Sequence, residues 1–271
     1  MIDSIDGIMR LISDQAYNED IGRLRSAYFF RGLPDVRFRL TTSLRMNCKE
    51  LHRELEPAML RAFTKYASMD DPTLSSSVWK QMVVGQHYGL PTRLMDWTRS
   101  PLIALHFANS ESNFDKLDKR DSVVWRFNMK DVNRYLPDKY ARILERDKTF
   151  IFSLDTLSAV ADSIEQYDAD MGGDAFVNLE PPSIDQRIVN QYSFFSVIPA
   201  GITDIERYLE EHTVRYVIRK EIRWDVRDLL DQFNVSERMI FPGLDGLSRA
   251  LARHYFVKGS DAERRRYTDE T

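Results

Sequence analysis

Apolar residues along this chain fall into two patterns, one at helical spacing and one condensed into short buried runs. Ile5, Ile8, Met9, Leu11 and Ile12 lie at helical spacing within residues 3–20. Tyr28-Phe29-Phe30 is short and aromatic, which predicts a buried strand that Arg31-Gly32 ends. Between residues 48 and 66, Leu51, Leu55, Met59 and Phe63 recur at i, i+4, i+8 and i+12 with Leu60 beside them, the stripe of an amphipathic helix that serves packing. A polar, proline-containing loop is expected over 70–77, a helix over 78–86, and a turn at Gly89-Leu90-Pro91. Residues 92–97 suit a short strand. Ser100 then reads as an N-cap and Pro101 as the first residue of a helix through Ala108 that is apolar all round and so buried.

Farther along, 122–128 reads as a strand rich in Val, Trp and Phe. Residues 130–182 are polar and in places acidic, broken by Asp168, Asp170, Gly172, Gly173 and Asp174, and read as an insertion of helices and loop. Strands are predicted at 193–199 and 214–219, and helices at 224–233 and 247–255. No fixed-period repeat or long linker is present. One domain over 1–256, with the insertion at about 130–182, and a charged, flexible tail over 257–271 are expected.

Composition narrows the classes. With 271 residues, 43% hydrophobic and 11% aromatic, the chain can bury a substantial core. Its 38 Lys+Arg against 42 Asp+Glu leave a formal charge of −4, which argues against wholesale coating of nucleic acid while leaving room for a local basic patch. Residues 20–65 hold ten Lys+Arg and five Asp+Glu, so anionic ligands are favoured on that side. Cys48 is the only cysteine, so neither an intrachain disulfide nor a cysteine zinc site can form, and a cytoplasmic setting is expected. The five histidines are too scattered for a local metal motif, so no metal is expected. No export signal is recognisable and no apolar run approaches the ~20 residues that span a bilayer, so no membrane association is expected.

Chemistry-bearing residues concentrate in 86–101. A turn stiffened by Gly89 and Pro91 can gather His87, Arg93 and Asp96 into a preorganised site. The plainer alternatives are that Asp96 pairs with Arg93 or caps the next helix, and that His87 is a core histidine. Arg31 ends an apolar strand beside Gly32, which lets another group approach the backbone closely. Its planar fork suits a phosphate, and equally a structural carboxylate. Signatures of Rossmann, P-loop, hydrolase-elbow and zincin sites are missing.

Taken together, Phe30-Arg31-Gly32, then Leu40, Ser43, Leu44 and Arg45, then Gln86-His87-Tyr88-Gly89-Leu90-Pro91-Thr92-Arg93-Leu94, Asp96-Trp97-Thr98, Ser100-Pro101 and the run Ala104 to Ala108 resemble the FRG domain. The resemblance extends to Arg187, Ile188 and Gln191 ahead of Phe194-Phe195, and to Phe241-Pro242-Gly243-Leu244-Asp245-Gly246-Leu247. Tyr192 and Ser193 stand where that family has a second Gln and a Gly. The resemblance implies an α+β, ADP-ribosyltransferase-like fold: a split, mostly antiparallel sheet with flanking helices and a cleft for NAD. It assigns Arg31 and Gly32 to the dinucleotide and places Asp96, Trp97, Thr98 and Ser100 along the nicotinamide ribose. Gln191 falls where such folds carry a Glu, and an amide cannot supply the negative charge that steadies an oxocarbenium-like transition state, so Asp96 would supply it.

On those terms His87 or Asp96 would accept the acceptor's proton, Tyr88 or Trp97 would stack on nicotinamide, and Arg93 would help hold NAD, with Trp97 equally suited to plain core packing. The expected activity is NAD-dependent ADP-ribosyl transfer to a macromolecule, RNA, DNA or protein, by a toxin-like or phage-defence effector with a neutralising antitoxin partner. A non-catalytic nucleotide-sensing module is the alternative. A phosphotransferase or nuclease using His87 and Arg93 on RNA ends is a third possibility.

Overall fold

The computed structural model describes residues 1–259, so nearly all of the tail expected over 257–271 lies outside the described residues. The chain opens with α1 (Ile5–Ser13) and the short pair β1 (Tyr17–Asn18) and β2 (Arg23–Leu24). The helical spacing read over 3–20 therefore stops at Ser13. Asn18 accepts from the Asp20 amide to start a tight turn, and Gly22 closes it in the left-handed region at φ 61°. Next come β3 (Tyr28–Leu33), α2 (Ser43–Cys48), α3 (His52–Ala67), α4 (Val78–His87), β4 (Leu94–Thr98), α5 (Pro101–Ala108) and β5 (Ser122–Asn128). The stretch read as an insertion gives α6 (Met129–Val132), α7 (Asp138–Arg146), α8 (Leu154–Val160), α9 (Ile164–Met171) and β6 (Val177–Leu179). Then follow α10 (Gln186–Gln191), β7 (Ser193–Val197), α11 (Ile205–Leu209), β8 (Thr213–Ile218), α12 (Arg223–Gln232), α13 (Glu237–Ile240) and α14 (Leu244–His254). No described helix is long and apolar enough to cross a membrane.

Helices and an antiparallel sheet make this an α+β chain. The larger sheet runs β6-β7-β4-β3-β5-β8. β3 pairs with β5 from Tyr28↔Asn128 to Leu33↔Val123, and β4 with β7 from Leu94↔Val197 to Thr98↔Ser193. Between β3 and β4, however, the register holds only at Phe30↔Thr98, so the sheet opens beyond that pair.

Strand alternation sends Phe30 and Val124 to one face, against Ile103 and Ala104 of α5, Ile8 of α1 and Val226 of α12. Phe29, Met95, Trp97 and Phe127 occupy the other face with Ile205. α5 lies so close to β3 that a Cβ on Gly32 would sit 1.8 Å from the Ala104 carbonyl oxygen and 2.6 Å from the Ala108 nitrogen. The close approach that Gly32 permits is that of a helix backbone.

Two expectations are corrected here. The apolar stripe is only partly a packing face: Leu51, just ahead of α3, is 53% and Leu55 41% exposed and Met59 and Phe63 are half-buried, whereas Glu56 is 1% and Leu60 4% exposed. Glu56 turns inward to bind Arg93, and that ion pair sets which side of the helix is buried. Second, residues 130–182 do more than hang helices and loop on the fold. β6 forms a sheet edge, and Tyr140, Leu157, Tyr167 and Val177 share one buried cluster with Trp79 of α4 and Phe195 of β7.

Candidate functional site

Where β3 and β4 part, a cleft of about 210 Å³ opens. β3 contributes Arg31 and Gly32, β4 contributes Asp96 and Thr98, and α10 closes the far side with Gln191. Arg31 Nη1 donates to the Asp96 carbonyl at 2.6 Å, taking up an acceptor that the interrupted ladder leaves, and stands 3.5 Å from Asp96 Oδ2. Gln86 Nε2 donates to the same Oδ2 at 2.9 Å and to the Leu94 carbonyl at 3.3 Å, while the Thr92 hydroxyl holds the Gln86 Oε1. One carboxylate oxygen of Asp96 is thus fixed and Oδ1 has no protein partner among the described residues, in a side chain 57% exposed. Arg31 Nε is buried and unpartnered. A positioned carboxylate with a free oxygen and the guanidinium beside it therefore meet in one opening.

Gln191 reaches the cleft because α10 docks on α13: Asn190 Nδ2 donates to the Met239 carbonyl at 2.5 Å and Gln191 Nε2 to that of Ile240 at 3.4 Å. Tyr192 ends α10 in the left-handed region at φ 48°, so the departure from the family pattern at Tyr192 and Ser193 falls on the turn into β7.

Other sequence candidates lie elsewhere. Arg93 is buried, bound through Nε to Glu56 at 2.9 Å and through Nη1 to Asp168 at 2.5 Å. Burial alone would lower its pKa, but the two carboxylates outweigh that and hold it above its ordinary value. It joins α3, β4 and α9 and does not line the cleft. His87 Nε2 lies 2.7 Å from an Asp185 carboxylate oxygen, and Tyr88 is 73% exposed with its ring edge-on to His87; neither lines the cleft. The turn at 89–91 does not gather His87, Arg93 and Asp96, because alternation on β4 and the end of α4 send them three ways. Ser100 caps α5, accepting from the Ile103 amide at 3.4 Å. Trp97 borders the cleft but is 3% exposed, its indole donating to Ser196 Oγ at 2.9 Å and packed on Phe127. Core packing is its role.

Four lining residues were not singled out for the site: Phe30, Phe107, Arg187 and Ser193. All but Ser193 sit inside motif blocks, which was the available signal. Ser193 enters through its register with Thr98, which no sequence pattern reveals. Behind Phe107, His106 is fully buried; its Nδ1 accepts from Arg227 Nη1 at 2.9 Å and its Nε2 has no partner. Burial and the neighbouring Arg227 push its pKa down to about 3, so the ring is neutral.

Several cations of the basic stretch 20–65 are tied to protein groups. Arg37 binds Asp35, Arg39 binds Asp204 and Glu206, and Arg45 and Arg53 both donate to the Ala200 carbonyl. Among the described residues no cluster of His, Cys, Asp or Glu could hold a metal ion.

No curated protein and no solved structure matches this chain. Residues 26–116, which carry β3, the Gln86–Asp96 brace and α5, match the family model of the FRG domain, and this matched segment supplies Arg31, Gly32 and Asp96 to the cleft.

Proposed function

We propose that the cleft takes the nicotinamide–ribose end of NAD and that the protein transfers ADP-ribose to a macromolecular acceptor. The observation that carries this reading is the Arg31–Asp96 pair at the opening of the sheet, with Asp96 Oδ1 unpartnered among the described residues. Opening the glycosidic bond returns its electron pair to the nicotinamide nitrogen and leaves positive charge on the ribose. Asp96 is the carboxylate at hand to face that charge, held in place by Gln86 and Arg31 rather than free to rotate. Thr98 and Gln191 bring a hydroxyl and an amide to the same walls, suited to hydrogen bonds with ribose hydroxyls. When an acceptor O–H or N–H bonds to the anomeric carbon, its proton leaves through Asp96 or to water.

One observation favours a nucleotide-sensing module instead. Asp96 is the only carboxylate among the residues lining the cleft, and the amide of Gln191 cannot add a second negative charge.

Labelled NAD incubated with the purified protein and separate pools of cell protein, RNA and DNA decides between them. Transfer of label into one pool, lost with Arg31→Ala and with Asp96→Ala, is the expected result and names the acceptor class. Tight NAD binding without transfer or nicotinamide release would replace the transferase by the sensing module. A toxin-like effector would in addition arrest growth when expressed, and Asp96→Ala would relieve the arrest.

A further inference from the structure

We infer that Arg187 and Arg249, gathered on the ring of Phe241 at the rim of the cleft, clamp the phosphate groups of the nucleotide whose sugar end enters it; this rests on the NAD reading above. The first-strand arginine is poorly placed for that task. Arg31 already has Nη1 on the Asp96 carbonyl and its charge 3.5 Å from the Asp96 carboxylate, so an incoming phosphate meets a cation that is already matched.

Arg187 and Arg249 are in the opposite condition. Both are exposed, and neither makes a hydrogen bond or ion pair with any described residue. Their guanidinium carbons stand 5.1 and 5.6 Å from the centre of the same Phe241 ring. A guanidinium resting on an aromatic ring keeps its N–H groups available to an anion. Two like charges drawn to one ring also repel, and a bound phosphate relieves that repulsion.

Position and rigidity agree with this. Arg187 lines the cleft itself, while Arg249 lies beyond it on α14. α10 is tied to α13 through Asn190 and Gln191, and a Cβ on Gly246 would lie 1.8 Å from the Phe241 carbonyl oxygen, so α14 packs directly on the loop that presents the ring. The cleft, at about 210 Å³, falls below the roughly 300–1,000 Å³ of sites that enclose even a drug-sized ligand, so a dinucleotide must lie partly outside it. The cations at the rim are where its pyrophosphate then falls.

The test titrates ADP-ribose, nicotinamide riboside, inorganic pyrophosphate and a single-stranded oligonucleotide into the wild-type protein and the double variant Arg187→Gln/Arg249→Gln, with thermal melts to verify that the exposed substitutions leave the fold intact. Affinity for ADP-ribose and pyrophosphate is expected to fall about 10- to 100-fold in the variant, as loss of charge-assisted hydrogen bonds would give, with nicotinamide riboside unaffected. ADP-ribose bound equally well by both proteins overturns the clamp and leaves the NAD reading standing. Absence of wild-type binding to both ADP-ribose and nicotinamide riboside overturns the NAD reading and the clamp with it. An oligonucleotide held more tightly than ADP-ribose, and released by the double substitution, overturns the assignment to a dinucleotide in favour of a polymer.

Discussion

At Gly32 the absence of a side chain decides how α5 meets the sheet. Because an added Cβ would sit 1.8 Å from the backbone oxygen of Ala104, Gly32→Ala must push α5 away from β3. A loss of about 1–3 kcal/mol or more is expected, read as a lower melting temperature. An unchanged melt would show that the two backbones are not in contact. His106 offers a different residue-level test. Its pKa falls from 6.5 to about 3 on folding, chiefly through burial and then through Arg227, with Glu237, Asp231 and Arg253 also acting on it. Below pH 6.5 the unfolded chain binds a proton that the folded chain refuses, so this contribution to stability is complete above pH 6.5 and declines as the pH falls towards 3. Denaturant melts across that range should show the decline, and His106→Gln should flatten it.

Among the elements, α3 shows where local pattern and tertiary packing part company. The apolar stripe predicted there is split by the fold: Leu51, just ahead of the helix, and Leu55 face outward while Leu60 is buried beside Glu56. Leu55→Ser is therefore expected to move the melting temperature little, whereas Leu60→Ala should cost about 2–5 kcal/mol. Equal effects would restore the stripe as the packing face. α5 was legible to the residue, because a serine cap, an N1 proline and a run apolar but for His106 all point to the same helix. β5 was equally plain, with Val123, Val124, Trp125 and Phe127 in seven residues. What local sequence did not disclose was pairing at a distance: that Glu56 would reach Arg93, that Asp185 would take His87, and that Ser193 would lie opposite Thr98. Arg31, Asp96 and Gln191 could be named from motif blocks. Arg93, His87 and Ser100 have the same polar character, and only their partners reveal that they serve structure.

For the molecule as a whole, the open question of residues 130–182 becomes one of cooperativity. A detachable insertion would leave a folded remainder, yet this segment answers needs of the remainder that nothing else among the described residues meets. The Trp79 indole of α4 donates to the Ala161 carbonyl at 2.7 Å, and the Tyr167 hydroxyl donates to the Val197 carbonyl of β7 at 2.6 Å and accepts from the Val177 amide at 3.0 Å. Asp168 neutralises Arg93 together with Glu56 and also accepts from the Ala200 amide at 3.0 Å. Removing α7 to α9 would strip the cover from Trp79, Leu94 and Phe195 and take away Asp168, one of the two carboxylates that bind the buried Arg93. Each large apolar side chain left uncovered forfeits ~1.5–3 kcal/mol of burial, and several together are a large share of the ~5–15 kcal/mol that holds a native domain together. Replacing residues 138–171 by a short Gly-Ser linker is therefore expected to give a chain with no cooperative thermal transition, followed by circular dichroism. A sharp transition in the shortened protein would show instead that the sheet and α5 fold without the segment, and would free it for a role in recognising the acceptor.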